Sequence, residues 1–365
     1  MIGMEGNAVT ENHRDAAPSG KAAIKNNPCH SEPAFFADEE SAFAATHLTQ
    51  FFAALLFLLF ILSSTASAQT AQELLASGRV DEVIQTLERQ IHTAPNAEAY
   101  NLLCRAHLEL GTWDAGISAC EKAVRLDPNN GLYHLWLGRV YGEKADRAGF
   151  LKAAGLAGKV RTEFERAVEL SPNSWEARTD LAEFYLEAPG VVGGGKDKAL
   201  AQAELLVPLN AAMAHWVKGR VAEKNKDNAA AEKHFRAAIE ASNGGARAWL
   251  NLAGFYRHLN QFDAMEQALH TMESRPVDHP ASLADGAGML LRTNRDTSLA
   301  IRLARRYLAL PNTEEEAPVF KARTVLGELL EKQGDRAAAA EEYRAALAMA
   351  HSYRQAQEGL KRVSR

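Results

Sequence analysis

Three groups of residues have the types that chemistry uses. The first is Gly190 to Asp197, GVVGGGKD, which follows the G-x-x-x-x-G-K spacing of a phosphate-binding loop. A nucleotide loop needs Ser or Thr after the lysine to hold Mg²⁺, whereas this chain has Asp197, whose charge repels phosphate. It should also follow a buried strand, and here it follows the helical stretch EFYLEA. A narrower use survives: the amides of Gly193 to Gly195, with Lys196 at the start of a helix, form a site for an anion or a partner's carboxylate. The alternative is a plain turn joining two helices.

The second group is Cys104 and Cys120. A disulfide requires α-carbons roughly 4.4–6.8 Å apart. The two fall on facing sides of successive helices but read as about one turn out of step, so two buried thiols packing as small hydrophobes fit at least as well. The third group is His92, His107 and His134, whose spacings match no zinc pattern. Histidines on buried stripes are usually satisfied core residues, so no metal site is assigned. Aspartates and glutamates occur singly on solvated faces, and no G-x-S-x-G or Cys/His arrangement is present. The expectation is a protein that binds rather than catalyses, with no cofactor.

The elements that position these residues are helices. Nearly half of the 365 residues are apolar, and alanine is far commoner than long β-branched runs. The net charge of −5 does not point to a nucleic-acid partner, which needs a clustered basic face, and none is expected. TAPNA (Thr93 to Ala97), LDPNN (Leu126 to Asn130) and LSPNS (Leu170 to Ser174) recur as helix-ending punctuation. The stretch from Tyr100 to Asn130 carries Tyr100, Leu103, Cys104 and His107 on one helical stripe, breaks at Gly111, and resumes with Ile117, Cys120, Ala123 and Val124. A small residue recurs midway along each first helix: Cys104, Gly138, Ala182, Gly219, Ala253, Gly288 and Gly327. Small side chains suit points where two helix backbones cross closely.

This distributed pattern resembles the tetratricopeptide repeat (TPR) family, whose period is about 34 residues. The resemblance implies an all-α fold, an α-α superhelix of about eight helix-turn-helix repeats with a C-terminal capping helix. The repeats read as 69–96, 97–130, 131–174 with an insertion, 175–211 with the glycine-rich insertion, 212–245, 246–280, 281–319 and 320–352, with a cap at 353–365. The stretches AGFLKAAGLAGKVRTEFERAVEL and EFYLEAPGVVGGGKDKA are similar to a set of exported bacterial TPR proteins with no assigned activity. Both insertions, Lys144 to Val160 and Glu187 to Ala199, fall at the turn between the two helices of neighbouring repeats. They are expected to touch and to form an edge for binding.

The resemblance further implies that the first helix of each repeat lines a concave groove. The expected groove residues are Asn101, Arg105, Glu109, Leu135, Arg139, Glu183, Trp216, Arg220, Leu250, Arg257, Asp285 and Glu328, with Lys196 on the insertion edge. Arginine and aromatic groups on such a face are common hot spots for a protein or peptide partner. TPR co-chaperones grip C-terminal carboxylates with a Lys/Asn clamp, which Asn251 and Arg247 do not recreate. The alternatives are an anion- or nucleotide-binding protein using residues 190–196 and a purely architectural subunit of an envelope complex.

Upstream, Phe51 to Leu62 reads FFAALLFLLFIL and is followed by SSTASA. The run is short for a bilayer span, which takes about 20 residues. It reads as a secretory signal over 51–68, cleaved after Ala68, leaving no stable membrane span in a periplasmic or secreted product. Residues 1–50 read as a disordered extension or the product of a mis-set start, with the true start near Leu48. Cys29 lies there, outside any lipid-attachment pattern. Export would place Cys104 and Cys120 in an oxidising compartment.

Overall fold

The computed structural model describes residues 71–311 and 313–365. The segments read above as an extension and a signal, 1–50 and 51–68, lie outside the described residues. Among those described there is no strand, and no helix is long and apolar enough to cross a membrane.

Residues 71–76 are helical and turn at Gly78 into α1 (Val80–Thr93). Antiparallel pairs follow: α2 (Ala97–Leu110) with α3 (Trp113–Leu126), and α4 (Gly131–Asp146) with α5 (Phe150–Leu170). Next come α6 (Trp175–Glu187) with α7 (Lys196–Leu206), and α8 (Ala211–Lys224) with α9 (Asn228–Ala241). Then come α10 (Ala246–His258) with α11 (Phe262–Glu273), and α12 (Ala281–Thr293) with α13 (Thr297–Leu308). The last pair is α14 (Val319–Gln333) with α15 (Arg336–Met349), and α16 (Arg354–Val363) packs on it. The fold is an all-α superhelix.

The punctuation has a local cause. In three of the Pro-containing turns the closing Asn or Ser caps the next helix: Asn96 accepts from the amide of Ala99, Ser174 from Ala177 and Asn210 from Met213. Asp227, Asp296 and Asp335 cap second helices in the same way. Each such cap contributes about 1 kcal/mol by satisfying an amide that has no partner within the helix.

Packing within a pair centres on one slot. A Cβ on Gly219 would meet the Phe235 ring at 3.2 Å, and one on Gly327 would meet Tyr343 at 2.7 Å. Cys104 and Cys120 occupy the same two positions in their pair, at the same separation of 16 residues. They are joined as a disulfide with α-carbons 5.2 Å apart. Spacing along the sequence put these positions a turn out of step. The structure sets them opposite one another, because the slot pairs the middle of the first helix with the middle of the second. In α12 the close approach shifts to Gly286, against Met272 and Leu269 of α11 as well as Leu303 of α13, while Gly288 faces Arg292 of its own helix.

The superhelix closes on itself. A Cβ on Gly78 would lie 2.8 Å from the backbone nitrogen of Val319. Thr313 donates to the carbonyl of Ala76 at 2.8 Å, and Lys321 pairs with Glu109 at 2.6 Å. The amide of His351 donates to Asp81 at 2.7 Å. The first repeats thus pack against the last, and the inner helices surround a cavity of about 1520 Å³.

Candidate functional site in the inner face

The cavity wall is a strip of arginines held by aromatic rings and carboxylates. Trp136 of α4 carries two guanidiniums over its ring, Arg105 at 4.8 Å and Arg139 at 4.6 Å. Arg139 Nε also donates to Asp180 of α6 at 2.6 Å. Burial, the largest influence, would lower the Arg139 pKa, but Asp180, with Glu316 and Glu315, together outweigh it and the net shift is upward. Asp180 is itself pushed up by burial, against the pull of Arg139. Farther round, Arg247 of α10 lies over Trp175 at 5.6 Å. Such cation–π contacts contribute roughly 0.5–2 kcal/mol each and fix where the guanidinium points.

A second strip joins α6 to α8. Arg220 donates to Glu187 at 2.7 Å, lies 3.7 Å from Glu183, and sits over Trp216 at 5.5 Å. Glu183 lines the cavity, and burial raises its pKa although Arg220 acts the other way.

The loop between α13 and α14 enters this face with three consecutive glutamates. Glu315 accepts from Arg105 Nε at 2.8 Å and from its Nη2 as well. Glu316 accepts from Arg247 Nη2 at 2.9 Å and lies 3.2 Å from His279 Nε2. Glu314 accepts from the amide of Ala281, at the start of α12, at 2.7 Å. The hydrogen bond from His279, aided by Arg247 and Arg139, holds the Glu316 carboxyl at about 2 despite its burial.

The expected site residues therefore divide. Arg139 and Glu183 line the cavity, as does Glu109, paired to Lys321, while Arg105 stands beside it on Trp136. Arg220 lies beside them. Trp216 is 9% exposed, serving mainly as a platform for Arg220, and Leu135 is buried at 4%. Asn101 is 2% exposed, so it belongs to the packed interior. Each inner helix is covered by its own partner and also by the inner helices before and after it, which leaves a narrower free strip than one-helix reasoning suggests. Arg257 turns to His258 at 2.9 Å, and Glu328 to Gln355 at 2.8 Å. Trp136 and the run Glu314 to Glu316 were not anticipated. The signal for the first was Trp136 three residues before Arg139; for the second it was an acidic run in a lengthened inter-repeat turn.

The helix that carries the first insertion touches the second: Arg161, the residue after Val160, donates through Nη1 to the carbonyl of Val192 at 3.3 Å. The first insertion mostly lengthens α5 instead of forming a loop. The second makes a single 3-10 turn, Gly190–Val192, that leaves Val191 96% exposed at the cavity mouth. The glycine-rich loop offers no anion cradle. Gly193 donates to Gly190 O at 3.0 Å, Gly194 to Pro189 O at 3.2 Å and Gly195 to Tyr185 O at 2.7 Å. Lys196 is held by the carbonyl of Lys224 and by Asn225 Oδ1 at 2.6 Å.

The histidines go separate ways. His92 is exposed, and His107 meets Thr112 at 2.9 Å. His134 bridges Glu163 at 2.6 Å and the carbonyl of Pro128 at 3.0 Å. Among the described residues, no three His, Cys, Asp or Glu side chains gather as a metal site.

Comparison with known proteins agrees with this architecture. Residues 69–131, 194–246 and 219–269 match one tetratricopeptide repeat model, and residues 320–353 match a second. Sperm-associated antigen 1 of Mus musculus is 37% identical over 54 residues, which span 15% of this chain and 6% of that protein. Its Rattus norvegicus counterpart is 35% identical over the same length. Among solved structures, a thermophilic TPR protein of Thermus thermophilus has a TM-score of 0.45 at 18% identity, covering 52% of this chain and 97% of that one. The protein MamA has a TM-score of 0.32 at 21% identity, over 46% and 90% of the two chains. Paired helices meeting at a small-residue slot, with repeat matches near the start, middle and end of the array, make this chain a tetratricopeptide repeat protein.

Proposed function

We propose that this interaction scaffold is exported and holds a polypeptide segment of a partner protein against its inner face. The observation that carries the reading is the cavity wall, where Arg139 and Arg247 are fixed on Trp136 and Trp175. Groups held in place before binding lose little freedom when the partner arrives, so more of the contact energy appears as affinity. The two insertions extend the same surface, with Val191 as an exposed apolar contact at its mouth. Export is supported by the buried bridge between Cys104 and Cys120, a bond that persists in oxidising compartments.

The test is a photo-crosslinking residue at Glu183, inside the cavity, compared with one at Lys233 on the far side of the ring. With the full-length chain in its native envelope, a discrete protein adduct is expected from Glu183. It should fade when Arg105 and Arg139 are both changed to Gln. Adducts from Lys233 alone would overturn the reading in favour of an architectural subunit gripped from outside.

A further inference from the structure

The segment between α13 and α14 sits inside the inner face, and its anchors come from across the ring. Arg105 of α2 takes Glu315, Arg247 of α10 and His279 take Glu316, and the first turn of α12 takes Glu314. The Arg105–Glu315 pair is largely shielded from water, at 11% and 13% side-chain exposure. Among the described residues, Arg105 and Arg247 have no other carboxylate within ion-pair distance. Thr313 to Glu316 contribute no apolar side chain to the core; the apolar anchors begin at Ala317 and Val319. The segment is held by charge and hydrogen bonds, which a segment of like chemistry can exchange one for one.

We propose that residues 313–316 are an internal ligand, occupying the groove until an acidic segment of the partner displaces them. This rests on the groove-binding reading above and adds the partner's chemistry and the gate it must open. Withdrawing the segment leaves two part-buried guanidiniums on Trp136 and Trp175, beside His279 and an unpaired helix-start amide. Cations so placed are costly to leave bare, so the vacated site favours a ligand that brings carboxylates. A neutral or basic segment does not replace what is lost. Because the segment is tethered, it competes at the high effective concentration of a short link, and the intact chain is therefore weakened toward free ligands.

The test uses a fluorescent peptide with the sequence of residues 311–318 and a control with Gln at its three Glu positions. Anisotropy is measured against the full chain and against the Glu314→Gln/Glu315→Gln/Glu316→Gln variant. The variant should bind the acidic peptide about tenfold or more tighter than the unaltered chain does, and the control peptide no tighter. Adding Arg105→Gln and Arg247→Gln should abolish the gain, and higher salt should weaken it. Equal affinity of variant and unaltered chain, or equal binding of both peptides, overturns the proposal. To guard against a variant that fails to fold, excess acidic peptide is added to the unaltered chain and amide exchange is followed. Displacement accelerates exchange at the Ala317 amide, which donates to the Glu314 carbonyl at 3.1 Å, and unchanged exchange there overturns the proposal by itself. If these fail while crosslinking from Glu183 persists, only the acidic gate falls. If both fail, the groove reading falls with it.

Discussion

His134 carries a hydrogen bond on each ring nitrogen, so its protonated form is the one the fold prefers. The Glu163 carboxylate raises its pKa, burial opposes this, and the Pro128 carbonyl assists. A group whose pKa is raised on folding contributes stability below its unfolded value, near 6.5, and that contribution disappears as pH rises through the folded value. The stability gap between the native chain and His134→Gln should therefore be wide at pH 6 and narrow at pH 9, as read by urea denaturation. A gap that widens with pH would mean the neutral ring is preferred. The disulfide makes a second residue-scale claim. Both cysteines are fully buried, and the bridge closes a short loop within one helix pair. Loops of about this length contribute about 3 kcal/mol by restricting the unfolded chain. Replacing both cysteines by Ala should lower the unfolding free energy by about 2–3 kcal/mol without changing helix content by circular dichroism.

At the scale of elements, the turn between the helices of a pair, where no insertion interrupts it, holds one residue in the left-handed region. Gly78, Gly111 and Gly334 fill it in three repeats, but Lys226, Asn260 and Asn294 fill it in others, with φ of 62°, 58° and 56°. A side chain other than Asn or Asp there costs about 1–2 kcal/mol, whereas glycine gives back part of that through the greater freedom of the unfolded chain. Lys226 is exposed, so its replacement loses no packing. Lys226→Gly should raise stability by up to about 1 kcal/mol, and Asn260→Gly by less, because Asn tolerates this region. Equal gains in thermal melts would show that the turn is relaxed in both. These turns also show what the sequence makes legible. Periodic features, such as the capping Asn after Pro and the small slot opposite an aromatic ring, are written locally in each repeat, and from them the all-α superhelix could be read. The register across the slot was misjudged at Cys104 and Cys120, although Gly219 with Phe235 and Gly327 with Tyr343 carry the same separation. Asn101 and Trp216 were assigned to the groove because a single helix shows two faces, while stacking covers three.

The closure of the repeat array has no periodic signature, because it joins residues hundreds of positions apart. Asp81 meets His351, Ala76 meets Thr313, and Glu109 meets Lys321. The same closure brings Arg105 within reach of Glu315, so the composition of the inner face depends on contacts that no single repeat encodes. An open solenoid unfolds from its ends, since each terminal repeat has only one neighbour. A closed one gives its first and last repeats a neighbour on both sides and couples their openings. Gly78 stands at the joint: its φ is 74°, and an added Cβ would press the backbone of Val319 at 2.8 Å. Gly78→Val should thus part the seam from one side only. Hydrogen exchange should then accelerate both in α1 and in α14–α15, while α6 to α10 keep their protection. An open array would show the change in α1 alone, and α14 would exchange as before. Faster exchange on both sides of a seam altered on one side is the signature that closure, and not the local repeat, sets the stability of the two ends.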